Sequence, residues 1–349
     1  MVDKTHPKLD ERIEPANWTD GLDMPMSLMD QIPEDPAALA DLANRSVVSG
    51  KQFTRGQAIQ LCRLAAKFET TQTMGQFPLT GKILISAFYE PSTRTRLSFE
   101  SVWHRLGGDV ISITDPSTTG VAKGESLHDV AEMMSHYGDV VVLRDSNEEA
   151  IYEMLDVLRI PIINAGNGTD EHPTQALADI YAIAKWRPEF LMDNPPADKK
   201  IRVCVIGVPG RMRTVRSLLS FLALFSPAIK EVVIICNADQ PFSSGQKEEL
   251  EEAGLKLRVT ADLDAQLPDT DVVYINAIAW VGDSYEELGT EYRLDSHSPL
   301  KEGSIILHPL ARGEELATDL DNTEHNWYFA QARGAVYVRM AIMNSLVRF

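Results

Sequence analysis

Apolar runs and amphipathic stretches alternate along most of the chain beyond residue 55. Short apolar runs bounded by glycine, proline or charged residues predict buried strands. Stretches with apolar residues at i, i+3, i+4 and i+7 predict helices, as in Ser92–Leu106, where Phe99, Val102, Trp103 and Leu106 share one face. Strands that alternate with helices predict parallel sheets covered by helices on both faces.

The predicted elements fall into two series, separated by a polar break at Asp193–Lys200. In the first series we predict helices at Arg55–Glu69, Ser92–Leu106 and from Pro173, and strands at Lys82–Tyr89, Asp109–Ile113, Asp139–Leu143 and Ile160–Ala165. In the second we predict strands at Ile201–Val208, Glu231–Cys236, Leu255–Val259, Asp271–Ile278 and Ser304–His308, and helices at Thr214–Phe225, Ser244–Ala253 and about Asn326–Val347. The expected fold class is α/β, with two doubly wound parallel-sheet domains and an active-site cleft between them, because ligands bind beyond the carboxyl ends of such strands.

The first 50 residues differ from the rest of the chain. They contain ten acidic residues, four basic residues and five prolines. This composition predicts an extended or loosely ordered arm over residues 1–45. We then expect a first domain over 46–190 and a second over 191–325, with the last helix, 326–349, packing back on the first domain.

Composition narrows the class of protein. The 349 residues include 51 acidic and 33 basic side chains, a net charge of −18, which argues against a nucleic-acid partner. No apolar run reaches about 18 residues and the N-terminus lacks the apolar core of a signal peptide, so we expect no membrane segment. Cys62, Cys204 and Cys236 show no paired spacing, which favours a reducing cytoplasm and excludes a disulfide framework or zinc finger.

The segment 91–96 gives the first sign of chemistry. It follows a predicted strand and opens a predicted helix, whose free N–H groups favour an anion. Two threonines, a serine and an arginine there suit a phosphate: Ser92, Thr93, Arg94 and Thr95, with Arg96 as a second arginine in the same segment. The alternative is an ordinary serine cap followed by exposed arginines.

Two further motifs lie at predicted strand ends in the same half. His172 can donate a hydrogen bond to a carbonyl oxygen, and Gln175 can accept one from an NH₂ group. The alternative for His172 is a helix cap. Arg144 ends a strand and is expected to face the cleft, unless it forms a surface ion pair with Asp145 or Glu148.

The second half offers weaker signals. Its first strand-to-helix turn, Gly207–Thr214, has Pro209 where a dinucleotide fingerprint needs glycine, which argues against a nicotinamide dehydrogenase. Arg213 could hold a carboxylate, and backbone carbonyls in His308–Arg312 could hold an amine. An arginine-rich cleft in an acidic chain favours a small phosphorylated anion, and neither a metal nor a cofactor is needed.

These motifs together resemble the aspartate/ornithine carbamoyltransferase family over roughly residues 45–349. The resemblance is carried by Phe88–Glu100, His172–Gln175 and His308–Asp321. Lys123–Ser126 and His325–Phe329 resemble the aspartate branch, and the Ser-Met-Gly motif of the ornithine branch is absent.

The resemblance implies a role for each matched residue. Carbamoyl phosphate would be bound through Ser92, Thr93, Arg94, Thr95, Thr119, Lys123, Arg144, His172 and Gln175. The carbamoyl carbonyl would be polarised by Thr95, Arg144 and His172, and the NH₂ group held by Gln175. Thr119 and Lys123 would serve a neighbouring subunit, which implies a homotrimer. The acceptor would meet Arg213 and the carbonyls of Pro309 and Leu310.

The acceptor side departs from the family pattern. Ala277 and Ala279 stand where the aspartate branch has an arginine and a glutamine that bind carboxylates. Alanine cannot replace a guanidinium that pairs with a carboxylate. We therefore predict a carbamoyltransferase whose acceptor is not aspartate. Aspartate stays an alternative if Arg211 or Arg312 supplies the missing charge, and a catalytically silent binding subunit is disfavoured by the intact donor motifs.

Overall fold

A computed structural model of the chain describes residues 23–71, 77–276 and 292–347. The helices of this part are α1 (Asp23–Gln31), α2 (Pro36–Ala40), α3 (Arg55–Thr70), α4 (Thr93–Arg105), α5 (Leu127–Tyr137), α6 (Ala150–Leu155), α7 (Pro173–Trp186), α8 (Arg213–Leu224), α9 (Gln246–Glu252) and α10 (Tyr328–Leu346). The strands are β1 (Ile83–Phe88), β2 (Asp109–Ile113), β3 (Val140–Asp145), β4 (Ile162–Asn167), β5 (Ile201–Ile206), β6 (Ile229–Ile235), β7 (Leu257–Thr260), β8 (Val272–Ile275) and β9 (Ile305–Leu307).

The strands form two sheets, and every pairing within them is parallel. The first has the order β2-β1-β3-β4 and the second β7-β6-β5-β8-β9. The order reverses within each sheet, so the carboxyl ends on either side of the reversal open into a crevice. The predicted fold class is confirmed, whereas the domain boundaries stay a prediction.

Buried apolar strands hold each sheet against its helices. In β3 and β4, Val140–Leu143 and Ile162–Ile163 are at most 2% exposed, as expected for strands covered on both faces. The last helix, α10, packs on α3, α4 and α7 of the first half. A buried carboxylate ties α3 to α7, because Glu69 of α3 accepts from Tyr181 Oη at 2.7 Å and Lys185 Nζ at 3.0 Å, both on α7.

The N-terminal expectation needs a correction from residue 23 onward. Residues 23–40 include α1 and α2 rather than an extended arm. Leu28 is fully buried, and α1 packs on α3 and α7. Proline frequency misled the prediction, since Pro36 stands in the first turn of α2, where its missing N–H costs nothing.

Two helices of the first half, α5 and α6, were not predicted. The strand expected over Asp271–Ile278 is observed as Val272–Ile275, and its last two positions lie outside the described residues. None of the helices in the described ranges is long and apolar enough to cross a bilayer.

Candidate active site

The ends of β1 and β3 lie side by side and set the first contact of the site. Phe88 pairs with Arg144 in the sheet. The chain then stays attached to β3, because the N–H groups of Tyr89 and Glu90 both donate to the Arg144 carbonyl, at 2.8 and 3.3 Å. Glu90 is thereby held next to the Arg144 side chain.

Glu90 joins two arginines from opposite halves of the chain. Its carboxylate pairs with Arg144 and accepts from Arg213 Nη1 and Nη2 at 3.2 and 3.1 Å. Burial alone would raise the pKa of Glu90, but the hydrogen bonds and charges of Arg213 and Arg144 outweigh it and lower that pKa. Arg144 therefore does face the cleft, and neither Asp145 nor Glu148 is its partner.

Gly166 makes room for both guanidiniums. Its φ of 115° lies in a region that favours glycine. A Cβ at this position would come 3.1 Å from Arg144 Nη1 and 3.2 Å from Arg213 Cζ. The predicted second-half ligand Arg213 thus reaches the first half, where it also donates to the Gly168 carbonyl at 2.6 Å.

The segment after β1 supplies hydroxyls and a third arginine. Thr93 begins α4, and the Ser92 side chain at its N-cap makes no capping hydrogen bond. The pKa of Arg144 is lowered first by burial and then by the charge of Arg213, with the smallest contribution from the charge of Arg94. Neighbouring positive charges lower one another's pKa by repulsion. An anion that binds between them offsets this repulsion and is therefore held firmly.

Arg96 does not join this cluster. It pairs with Glu100 at 3.1 Å within α4, and Glu100 also accepts from Ser86 and Ser112. Arg96 therefore differs from Arg94, and the residues of this segment expected to bind the phosphate stay Ser92, Thr93, Arg94 and Thr95. An i, i+4 ion pair explains the difference.

His172 is 4% exposed and stands just before Pro173, the first residue of α7. Its pKa lies well below the usual value because of burial, with Arg339, Arg144 and Arg213 adding to the effect. The imidazole is consequently neutral at neutral pH and can donate a hydrogen bond to a carbonyl oxygen. Its backbone N–H donates to Ser217 Oγ at 2.9 Å.

The neighbouring Glu171 carboxylate fixes the approach of α8 to this segment. It accepts from Ser217 Oγ at 2.6 Å, from Ser49 Oγ at 2.7 Å and from the Gly50 N–H at 3.2 Å. One buried side chain thus holds elements of both halves at the back of the cleft, and His172 is positioned by the same contacts.

Gln175 is the third residue of α7, within its first turn, and is bonded within the helix. Its Nε2 donates to Asp179 Oδ1 at 2.8 Å. Gln331 of α10 donates to the same oxygen at 2.5 Å. Burial raises the pKa of Asp179 to about 7, although both glutamines oppose the shift.

The loop after β9 supplies the acceptor-side backbone. The Leu310 N–H donates to His308 Nδ1 at 2.8 Å, and His308 Nε2 lies 2.9 Å from Glu315 Oε1. Pro309 and Leu310 are partly buried. Arg312 binds Asp321, with Nη2 to Oδ2 at 2.7 Å, so its guanidinium is occupied. This weakens Arg312 as the substitute cation, and Arg211 stays an alternative.

Other predicted residues lie apart from this cluster. Thr119 caps a short turn that ends at Lys123, and the Lys123 side chain is exposed. Ala277 and Ala279, the predicted acceptor positions, lie outside the described residues.

Several polar residues of the site were missed by the sequence analysis: Glu90, Glu171, Asp179, Ser217, Gln331 and Arg339. Asp179 could have been found, since it is four residues after Gln175 on a helix. Arg339 gave no local signal, because its partner Ser98, 2.7 Å away, lies 241 residues earlier.

Two family models match the chain. The carbamoyl-phosphate binding domain of aspartate/ornithine carbamoyltransferase matches residues 45–185, and the aspartate/ornithine binding domain matches residues 199–346. The chain therefore belongs to the aspartate/ornithine carbamoyltransferase family, a family of carbamoyltransferase enzymes. The resemblance stated from the motifs is confirmed.

Similar proteins come from archaea and a trypanosome. The aspartate carbamoyltransferase catalytic subunits of Methanopyrus kandleri and Korarchaeum cryptofilum are both 36% identical, covering 88% of this chain and 99% of theirs. Aspartate transcarbamoylase from Trypanosoma cruzi, solved with carbamoyl phosphate, is 31% identical with a TM-score of 0.79, covering 91% of this chain and 100% of that one. Its complex with aspartate and phosphate gives a TM-score of 0.80 at 31% identity, covering 92% and 99%.

The buried Asp179 carboxyl predicts a specific pH dependence of stability. Its pKa is raised from 3.8 to about 7 in the folded protein, so its contribution to stability is complete below about pH 4 and is lost as the pH rises through about 7. Asp179→Asn has no group that ionises here, so the variant does not lose this stability as the pH rises. We expect the Tm of the variant to improve relative to the unmodified protein between about pH 5 and about pH 8, measured by thermal unfolding. A constant difference over that interval would contradict the assignment.

Proposed function

We propose that the protein transfers the carbamoyl group of carbamoyl phosphate to the amino group of a small amino-acid-like acceptor other than aspartate. The pairing of Arg144 and Arg213 with one carboxylate, Glu90, at the strand ends beside neutral His172 carries the proposal. Membership of the family is the reason to propose carbamoyl phosphate as the donor. The alanines at 277 and 279 are the reason to exclude aspartate as the acceptor.

The donor half has a complete set of groups for the reaction. Ser92, Thr93, Arg94 and Thr95 bind the phosphate at the start of α4, where free N–H groups add to the attraction. Thr95, Arg144 and His172 donate to the carbamoyl oxygen. Gln175 accepts from the carbamoyl NH₂.

The chemistry then needs only correct placement and charge stabilisation. A neutral amine, oriented by the carbonyls of Pro309 and Leu310, attacks the carbamoyl carbon and forms a tetrahedral oxyanion. The C–O bond to phosphate breaks, and the departing phosphate takes the amine proton. Loss of one oxyanion donor typically costs about 2.7–4 kcal/mol in the barrier.

The acceptor half suits a molecule with a single carboxylate at Arg213. Arg213 is shared with Glu90 at 3.1–3.2 Å, so an acceptor carboxylate would exchange with or add to that pair. Aspartate carries a second side-chain carboxylate that the missing arginine would have bound. A neutral or apolar group near Ala277 would replace it.

The active unit is proposed to be a homotrimer with shared sites. Lys123 and Thr119 lie on a loop beyond β2, the edge strand of the first sheet. Ile111 on that strand is 45% exposed and Leu97 on the adjacent α4 is 50% exposed. Exposed apolar residues along an open sheet edge favour association with another copy.

Binding of the donor can be tested without knowing the acceptor. Carbamoyl phosphate should raise the Tm of the protein, and Arg94→Ala should abolish that rise because the phosphate loses a charge-assisted hydrogen bond. Arg105→Ala, which removes an exposed cation from the other end of α4, is the control and should keep it. Equal protection of both variants would overturn the phosphate assignment.

The acceptor is identified by phosphate release from carbamoyl phosphate in a panel of amino acids and amines. We expect low activity with aspartate, and Ala277→Arg combined with Ala279→Gln should increase it by restoring the carboxylate partners. High activity of the unmodified protein with aspartate would refute the acceptor proposal and leave carbamoyl transfer standing. No release with any amine would favour a silent binding subunit.

Shared sites predict complementation between two inactive variants. Lys123→Ala and Arg94→Ala should each be inactive, since each removes a donor-binding cation. Mixed trimers should recover about a quarter of the activity, because random mixing gives that share of sites both residues intact. Activity is measured after dissociation and reassembly, with mass spectrometry to verify mixing. A verified mixed oligomer without activity would argue against the shared site.

A further inference from the structure

A chain of buried hydrogen bonds connects the two substrate sides of the cleft. It begins at Gln175 on α7, passes through the Asp179 carboxylate and reaches Gln331 on α10. Gln331 Oε1 then accepts from the His308 N–H at 2.8 Å. His308 Nδ1 in turn accepts from the Leu310 N–H at 2.8 Å.

Each amide in this chain has only one possible orientation. Asp179 Oδ1 accepts whether the carboxyl group is ionised or carries its proton on Oδ2, and a backbone N–H donates, so the NH₂ group of Gln331 must face Asp179 and its oxygen must face His308. The same rule turns the NH₂ group of Gln175 toward Asp179. The Gln175 oxygen is therefore left for another donor.

His308 is oriented by the same logic. Because its Nδ1 accepts from the Leu310 N–H, its Nε2 carries the proton and donates to Glu315, 2.9 Å away. Glu315 Oε1 also accepts from the Gly313 N–H at 2.7 Å. The backbone at Leu310, which has a left-handed φ of 53°, and at Gly313 is thus held by the linked side chains of His308 and Glu315.

We propose that Asp179 and Gln331 are positioning residues that fix the carbamoyl-binding amide of Gln175 and the acceptor-side loop His308–Leu310 relative to each other. The inference rests on the proposed function, which gives Gln175 and the loop carbonyls their substrates. Asp179 binds the NH₂ group of Gln175 and so leaves the Gln175 oxygen to accept from the carbamoyl NH₂. Gln331 binds the His308 N–H and so fixes the position of the loop whose carbonyls orient the attacking amine.

Burial favours this arrangement over a flexible one. Asp179 is 0% exposed, Gln331 1% and His308 1%. An unpaired polar group at such depth is costly, so the partners do not exchange easily with water. A displacement of about 1 Å between reacting groups can reduce the rate by roughly 10²-fold, so a fixed distance between Gln175 and Leu310 matters for turnover.

The test compares Gln331→Met with Gln60→Met. Gln60 is a matched control, since it is 8% exposed and its amide also makes two hydrogen bonds, with the Asp35 N–H and the Pro33 carbonyl at 3.0 Å each. It lies on α3, away from the cleft residues. Both variants should lower the Tm, but only Gln331→Met should lower kcat and raise the acceptor KM, together by roughly 10- to 100-fold.

Asp179→Leu should also raise the KM for carbamoyl phosphate, because the side-chain amide of Gln175 can then rotate and present its NH₂ group instead of its oxygen. Asp179→Asn keeps an oxygen acceptor and should lose less activity than Asp179→Leu. Kinetics use the amine that releases most phosphate in the unmodified protein. If Gln331→Met does not fold, Gln331→Glu replaces it, because it keeps the acceptor for the His308 N–H and puts a carboxyl group, which repels an ionised Asp179, in place of the NH₂ donor.

Hydrogen–deuterium exchange gives a readout that needs no turnover, with carbamoyl phosphate alone as the probe. Carbamoyl phosphate should slow exchange in the peptide 305–312 of the unmodified protein and of Gln60→Met, and not in Gln331→Met. Equal kinetics and equal exchange in the two glutamine variants would overturn the positioning role. If the unmodified protein neither binds carbamoyl phosphate nor releases phosphate from it, the proposed function itself fails, and the inference falls with it.

Discussion

The Glu90 carboxylate is the contact on which the cleft depends. Two guanidiniums, those of Arg144 and Arg213, approach the same strand ends, and an anion between them offsets their mutual repulsion. Glu90 supplies that anion from the turn after β1, and it accepts from one arginine in each half of the chain. The halves are therefore joined through the same charges that are proposed to bind the substrates, so ligand binding and the relative position of the halves share one set of contacts.

The sequence predicted those parts of the site that depend on local order. Strand ends in a parallel sheet meet at one edge, so Arg144, His172 and the turn at Ser92–Thr95 were predicted together from their position after strands. Arg96 of the same segment pairs with Glu100, a contact that the pattern of cations does not predict. Helix α1 was missed because proline and acidic residues concealed a single deeply buried leucine, Leu28.

Contacts between distant segments explain the remaining omissions. Gln331 and Arg339 belong to the last helix and reach residues of α7 and α4 in the first half. No spacing rule connects positions so far apart in one sequence. The same applies on the acceptor side. The sequence alone did not predict that Arg312 is already paired with Asp321, and so did not show that its guanidinium is occupied.

Gly166 shows how narrow the tolerance at this cleft is. The missing side chain leaves space that two guanidiniums fill, with atoms of both arginines little more than 3 Å from where a first carbon would stand. Adding a single methyl group there would strain the backbone at this φ and press on both guanidiniums, although every charged residue is still present. The protein could therefore lose its chemistry through a change that alters neither its charge nor any group that contacts a substrate, and an inventory of catalytic residues would not reveal the loss.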